Sequence, residues 1–448
     1  MDLPLTSQFT EMLHPGIEII HNTYKSCNGL ISTDTRNILP GSMFFCLKGQ
    51  TYNGNQFAAE AFEKGASWVV ADEDVARVSD RVILVPDVLE ALQGLAHYHR
   101  KQLKTHILAV GGSNGKTTTK ELCLSVLGSV KNVKGTAGNL NNHIGVPLTL
   151  LALTGEEDVA IIETGTNHPG EMKVLCDIIA PDSGIVTNVG KEHLEGFGTI
   201  EAVAREESEL YFTLQTLNNL AFVNTDDPWL SQMAHRLPKV VSYGVHAPAD
   251  ITGRVLASMP WLQFELAYKD QTYGPFTAHI GGAYNLYNIL AAVAAGVSLG
   301  MDVQQAALAA CAYTPSNNRS EWRKLGDKMI WLDAYNANPS SMELALQSFA
   351  ELEGHKVAML GDMLELGAYA HEEHKNIAQL ASSLNIDAVY LCGPEFEQTA
   401  ALGLEKVHYY KNSEALTEWL LQHPISASYI LVKGSRGIRM EKVLHAFS

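Results

Sequence analysis

The chain has 448 residues, 46% of them apolar and 18% charged, a globular composition that excludes a disordered or fibrous protein. At about 100–200 residues per domain, that length suggests about three domains. With 32 Lys+Arg against 49 Asp+Glu the formal net charge is −17, so the chain lacks the basic balance of a nucleic-acid or anionic-membrane binder; any phosphorylated ligand must be held by local devices.

In chain order, residues 1–10 show no basic stretch leading into an apolar core and do not read as a signal peptide. Residues 42–47 read as a strand, entered through Pro40-Gly41 and left at Gly49. Residues 57–64 fit a helix closed by Gly65, and residues 68–71 a second strand. Residues 1–103 are therefore a small α/β unit. A new rhythm begins at residues 106–110, where apolar runs at 159–162, 184–187 and 220–223 alternate with helical segments. Such runs imply a parallel sheet with helices on both faces, closed by a helix over 285–299. The most apolar stretch, 289–299, is too short for the ~20 residues that span a bilayer and reads as a buried helix. From about Tyr313 the pattern restarts, with strands at 329–332, 356–360, 388–391 and 429–432. The expected fold is thus α/β with three domains: a small N-terminal one (1–103), a central parallel-sheet domain (104–312) with the glycine-rich, Lys-Thr-closed 111–117 turn of a P-loop-type ATPase, and a C-terminal Rossmann-like domain (313–448). The six cysteines are scattered without CxxC spacing, as expected of free thiols in a reducing cytoplasm, and indicate no metal site.

The first chemical signal is Gly111-Gly112-Ser113-Asn114-Gly115-Lys116-Thr117-Thr118, which follows the 106–110 strand and opens a helix. Glycines let backbone N–H groups approach phosphates, the helix N-terminus adds a positive dipole end, and Lys116 can reach the β/γ-phosphates. Thr117 would place its hydroxyl on Mg²⁺. The strict G-x-x-x-x-G-K-[ST] pattern fails only at its first glycine, where Val110 stands. Phosphoryl transfer also needs metal-holding groups at neighbouring strand ends. Glu163 ends the 159–162 run, and His193 follows the 184–187 strand. A helix cap and a loop histidine are the plain alternatives, but open sheets bind ligands at that end.

These motifs resemble the Mur ligases and their folylpolyglutamate synthase relatives. Residues 112–118 carry the ATP signature. Further likeness lies in Ser32-Thr33-Asp34-Thr35-Arg36, Thr136-Ala137-Gly138-Asn139-Leu140-Asn141-Asn142, Glu163-Thr164-Gly165-Thr166 and His193-Leu194-Glu195-Gly196-Phe197-Gly198. Tyr335-Asn336-Ala337-Asn338-Pro339, Leu360-Gly361-Asp362-Met363-Leu364-Glu365-Leu366-Gly367 and Lys433-Gly434-Ser435-Arg436 complete it. The resemblance implies a cytoplasmic, ATP- and Mg²⁺-dependent amide ligase of peptidoglycan precursor synthesis, with a monomer as the default. Its substrates would be UDP-N-acetylmuramoyl-tripeptide and D-alanyl-D-alanine, joined through an acyl phosphate. It further implies nucleotide contacts from Gly112 to Thr118 and from Asn288, Arg319 and Asp333, with Lys116 and His193 catalytic. Ser32, Thr33, Asp34 and Arg36 would meet the UDP part; Asn139, Asn141, Asn142, Asn336 and Asn338 are further substrate candidates.

Three departures stand out. Many family members carry a carbamylated lysine that helps hold a second Mg²⁺, about a dozen residues after the His-x-Glu-Gly-Phe-Gly segment; here Glu207 takes that position. Glutamate offers the same charge on a shorter stem, so Glu207 is expected to act as a catalytic metal ligand without CO₂, unless Glu206, Glu207 and Glu209 form a solvated helix face. The family's Gly-x-His-Asn becomes Gly282-Ala283-Tyr284-Asn285, and its paired aspartates before Tyr335 reduce to Asp333. Competing readings are another ligase of the superfamily, amino-acid-adding or folylpolyglutamate-type, a P-loop ATPase or kinase without ligase activity, and a non-catalytic nucleotide-binding module.

Overall fold

Short apolar runs set off by turn residues become strands of three separate sheets in the computed structural model, which describes residues 16–316 and 318–447. The reading of residues 1–10 lies outside that range. The first sheet is parallel, in the order β1-β2-β3-β4, with β1 Ile31–Ser32, β2 Met43–Phe45, β3 Trp68–Ala71 and β4 Val82–Leu84.

The second sheet has nine strands: β5 His106–Gly111, β6 Val133–Gly135, β7 Val159–Glu163, β8 Ser183–Val186, β9 Leu220–Asn224, β10 Lys239–Gly244, β11 Ile251–Ala257, β12 Leu262–Tyr268 and β13 Gln271–Ala278. Their order is β13-β12-β11-β10-β9-β8-β5-β7-β6, parallel from β6 to β11 and antiparallel over the last two pairings. The third sheet comprises β14 Glu321–Leu325, β15 Lys328–Asp333, β16 Lys356–Gly361, β17 Ala388–Cys392, β18 Val407–Tyr410 and β19 Tyr429–Lys433. It runs β14-β15-β19-β16-β17-β18 and is parallel except for β14 on β15.

Because successive strand side chains point to opposite faces, β5 feeds two cores. Leu108 and Val110 join an apolar cluster with the helices Lys116–Gly128 and Asn285–Ser298. Ile107 joins another, with Leu92 and Leu95 of the helix Val88–Gln102. Coverage on both faces is why β5 and β7 read as unbroken apolar runs. The structure also adds what that reading passed over. β12 alternates buried Leu262, Phe264 and Leu266 with the polar Gln263 and Glu265, a period-2 pattern that a search for continuous runs misses.

All six cysteines are buried free thiols. No helix among the described residues is long and apolar enough to cross a membrane.

Candidate active site

Strand order assembles the site. β5 lies between β7 and β8, with Val110 level with Glu163 and Gly111 level with Val186, so the three loops that follow these strands share one end of the sheet. That is where ligands enter open α/β sheets. The loop after β5 turns at Gly112 (φ 111°) and Gly115 (φ 81°), in the left-handed region. A side chain at Gly112 would collide with Thr187, and one at Gly115 with the Asn288 amide. These two glycines are therefore required by backbone angle and by space.

The loop is braced by its neighbours. Ser113 N–H donates to the Asn188 carbonyl at 2.8 Å, Thr187 Oγ1 donates to the Asn114 carbonyl at 2.6 Å, and Gly190 N–H donates to Ser113 Oγ at 2.8 Å. The helix Lys116–Gly128 begins directly after Gly115, and the first amides of any helix have no intrahelical acceptor. Those of Lys116, Thr117 and Thr118 thus open the helix at the cleft.

Acidic side chains surround Lys116. Its ammonium group donates to the Gly112 carbonyl and to Glu192 Oε2, the latter at 3.1 Å. Burial works to lower the Lys116 pKa, yet Glu192 and Glu207 outweigh it and hold the group above its usual value. Glu163 is buried; its Oε1 accepts from Thr117 Oγ1 and from Asn141 Nδ2, each at 3.0 Å. Its Oε2 has no hydrogen-bond partner and lies 3.9 Å from Lys120 Nζ. Glu192 Oε1 and Glu207 Oε1 are buried and unpartnered too. Most buried oxygens are hydrogen-bonded, so three carboxylate oxygens left open around one phosphate loop fit a site that receives a cation. Thr117 with Glu163 is the pairing of hydroxyl and carboxylate suited to Mg²⁺. No group of three or more His, Cys, Asp or Glu among the described residues is gathered into a ready-made metal shell.

The other expected residues divide clearly. Glu207 is buried beneath the loop, with Oε2 accepting the Gly112 N–H at 2.6 Å, and it is absent from the cleft wall. The solvated-face alternative does not hold: Glu206 is also buried, and accepts N–H bonds from Gly170 and Met172 at 2.7 and 2.6 Å. Burial first, then the neighbouring Glu192, push the Glu207 carboxyl up to about 8. His193 lines the cleft and pairs through Nδ1 with Glu365 Oε2 at 2.7 Å. Asn288 accepts from Thr119 Oγ1 at 3.1 Å.

Across the cleft, Arg319 stacks 3.7 Å from the Tyr335 ring centroid, and Asp333 pairs with Lys433 while accepting the Ser320 N–H at 3.0 Å. Asn338 caps the helix Pro339–Ala350 and also donates from Nδ2 to Asn114 Oδ1 at 2.8 Å, joining the third sheet's unit to the phosphate loop. Asn336 and Asn139 line the same cleft; Asn142 does too, and accepts the N–H groups of Ile144 and Gly145. The cleft holds about 670 Å³, within the usual ~300–1,000 Å³ range of ligand sites.

Ser32, Thr33, Asp34 and Arg36 are not part of that wall and lie on the N-terminal sheet and the turn after it. Asp34 caps that turn and pairs with Arg36 at 2.6 Å, while Ser32 Oγ accepts from Leu39 N–H at 3.0 Å. Glu192, Lys120 and Glu365 were missed by the sequence reading. Glu192 could have been found, since it directly precedes His193 in a loop already singled out. Lys120 is one helical turn past Lys116 and reads as an ordinary helix lysine.

Comparison with known proteins finds relatives over nearly the whole chain. The family description "Mur ligase middle domain" matches residues 110–296, "Mur ligase, glutamate ligase domain" residues 318–436, and "Mur ligase family, catalytic domain" residues 29–100. The chain is 34% identical to the UDP-N-acetylmuramoyl-tripeptide–D-alanyl-D-alanine ligase of Bacillus subtilis, over 92% of each chain. It is 33% identical to the Escherichia coli protein of the same name, over 98% of this chain and 97% of that one. Among solved structures it is similar to MurF from Acinetobacter baumannii (TM-score 0.86, 27% identity, 95% and 97% covered). It is likewise similar to the MurF ligase from Thermotoga maritima in complex with ADP (TM-score 0.84, 27% identity, 93% and 96% covered). The chain belongs to the Mur ligase family.

Proposed function

We propose that the chain joins D-alanyl-D-alanine to UDP-N-acetylmuramoyl-tripeptide, using ATP and releasing ADP and phosphate. The observation that carries this is the near end-to-end likeness to relatives of that name. In this reading residues 1–103 hold the UDP part, with Ser32, Thr33, Asp34 and Arg36 as contacts. Residues 104–312 hold ATP, and residues 313–448 bring the dipeptide.

A carboxylate is a poor acyl donor, so the tripeptide carboxylate first attacks the γ-phosphate, breaking its bond to the β–γ bridging oxygen, releasing ADP and leaving an acyl phosphate. The dipeptide amine then attacks the acyl phosphate, and phosphate leaves from the tetrahedral intermediate. The first step brings negative charge together. Lys116 offsets that repulsion, and the loop amides orient the phosphates. Thr117 and Glu163 would hold Mg²⁺, which when bound neutralises developing charge on the phosphates. His193 and Glu192 face the same cleft, Asn288 and Arg319 contact the nucleotide with Asp333, and Asn139, Asn141, Asn142, Asn336 and Asn338 orient the acyl acceptor and donor. Docking of the C-terminal unit shields the acyl phosphate from water.

With Oε2 held by the Gly112 N–H, the open Oε1 of Glu207 would stand in, from beneath the loop, for the carboxylate that a carbamylated lysine supplies in many relatives. Glu207→Gln is expected to lower turnover about tenfold or more and to raise the Mg²⁺ needed for half-maximal rate. Unchanged turnover and Mg²⁺ dependence in that variant would remove Glu207 from the role.

The test of the reaction itself is phosphate release from ATP with the two substrates supplied singly and together. A ligase releases phosphate in step with peptide formation and needs both. Release with neither substrate would make the protein an ATPase, and release with a free amino acid in place of the dipeptide would make it another ligase of the family.

A further inference from the structure

The segment Gly361–Gly367, the longest motif without a part in the reaction above, is held rigidly to the C-terminal unit. Asp362 accepts the N–H groups of Glu395 and Phe396, each at 2.9 Å. Met363 N–H donates to the buried His374 Nε2 at 2.9 Å, and Leu364 N–H to Ser435 Oγ at 2.9 Å. Leu366 is buried in that unit's core. Thus anchored, the segment presents Glu365 to the loop after β8. The Glu365 carboxylate meets His193 Nδ1 at 2.7 Å, and the Glu365 carbonyl accepts the Glu195 N–H at 3.2 Å. Gly367 lies directly against Glu195, and Leu194 is buried in the C-terminal unit's apolar cluster.

Both partners of the central pair have unusual backbones: His193 at φ 43° and Glu365 at φ 66°, neither of them glycine. Left-handed backbone costs a side-chain-bearing residue about 1–2 kcal/mol, and such conformations persist where surrounding structure enforces them. Here each faces the other across the joint between two units. A histidine that donates from Nδ1 to a carboxylate has its ring angle fixed, and in its neutral form it turns an unprotonated Nε2 outward as a lone-pair donor.

We propose that Glu365 is a positioning residue for His193, so that docking of the C-terminal unit fixes the tautomer and aim of an imidazole on the ATP side of the cleft. The C-terminal unit then does more than bring its own contacts: it completes the phosphate side only when seated. This rests on the reading of His193 as part of the ATP site.

The experiment uses the full chain with Glu365→Gln, Glu365→Asp, His193→Ala and the double variant Glu365→Gln/His193→Ala. Its readouts are kcat and KM for ATP, and Mn²⁺ affinity of the ADP complex by electron paramagnetic resonance. Removing a carboxylate behind a metal-side histidine generally costs about 10–100-fold. Glu365→Gln is therefore expected to lower kcat about tenfold or more, leave the ATP KM within about twofold, and weaken Mn²⁺ binding about tenfold. Glu365→Asp should recover part of both losses. In the His193→Ala background, Glu365→Gln should add nothing, because the two residues act as one unit. Parent-like kcat and Mn²⁺ affinity in Glu365→Gln would overturn the proposal, as would losses that multiply in the double variant. If the parent releases no phosphate with its substrates, the ligase reading fails by itself, and the Mn²⁺ titration still decides the role of Glu365.

Discussion

The two joints of this molecule are built from different materials. Between the N-terminal and central units one apolar cluster runs through without a break, from Ile20, Phe44 and Leu95 to Leu150, Ile162 and Ile178. Its polar members reach backbone across the joint: Tyr24 donates to the Leu151 carbonyl, His99 meets the Leu153 carbonyl at 2.9 Å, and Arg100 donates to the Ile179 carbonyl at 3.0 Å. Between the central and C-terminal units polar contacts ring a cleft, beside a separate apolar contact in which Met259 and Tyr284 pack with Leu194 on the C-terminal cluster. The polar ones include Lys191–Glu373 at 2.6 Å, His193–Glu365 and Asn338–Asn114, and Leu194 is a buried apolar peg. Apolar area and satisfied backbone make a joint that does not open without unfolding, whereas exposed ion pairs contribute little and exchange readily with water. The first joint is a weld and the second a clasp, as a reaction that admits two substrates and then shields an intermediate requires.

Truncation separates the two. Leu95→Ala in the weld should cost about 2–5 kcal/mol of global stability, read by chemical denaturation. The matched change Leu194→Ala in the clasp should move that midpoint by less than about 1 kcal/mol, because the unit can undock rather than unfold, while turnover drops. Equal stability losses in the two variants would break the comparison.

Acid gives a second, smaller test. His21 lies in the weld, with Nε2 3.3 Å from His99 Nδ1; burial first, then Lys25 and His99, lower its pKa to about 4. A depressed folded pKa means stability present above the unfolded value of 6.5 and lost as pH falls from there toward 4. The melting temperature should therefore fall over that window, and His21→Gln should flatten the slope. The smallest effect is expected of Lys191→Met in the clasp, below about 1 kcal/mol in any stability measurement and strongest at low salt.

The sequence carried most of the fold because the strands of doubly covered sheets are continuous apolar runs, as in β5, β7, β16 and β19. It carried less where strands are half exposed, as in β11 to β13, or only two or three residues long, as in β1 and β6. Within the site, the phosphate loop was legible because Gly112, Gly115, Lys116 and Thr117 are adjacent in the chain. Glu163 and His193 could be placed by their positions after strands. The Glu192–Lys116 and Glu365–His193 pairs were not legible, since each depends on which strands are neighbours and on how the units seat. Glu207 was singled out by its position, but one of its oxygens ends on the Gly112 amide and the residue lies outside the cleft wall, a matter of reach that spacing does not report.

The three open carboxylate oxygens around Lys116 have one more consequence. Glu192 engages Lys116 and Glu163 lies 3.9 Å from Lys120, so neither buried lysine stands free for a phosphate, and Glu207, pushed up to about 8, readily keeps its proton until a cation arrives. A bare triphosphate would meet like charge there, whereas one already carrying its divalent ion meets oxygens in need of a cation. Metal-bound nucleotide is therefore expected to bind more tightly than metal-free nucleotide, and competition between the two would measure by how much. In a chain of net charge −17, acidity buried at the floor of the cleft would work as a passport control for nucleotide.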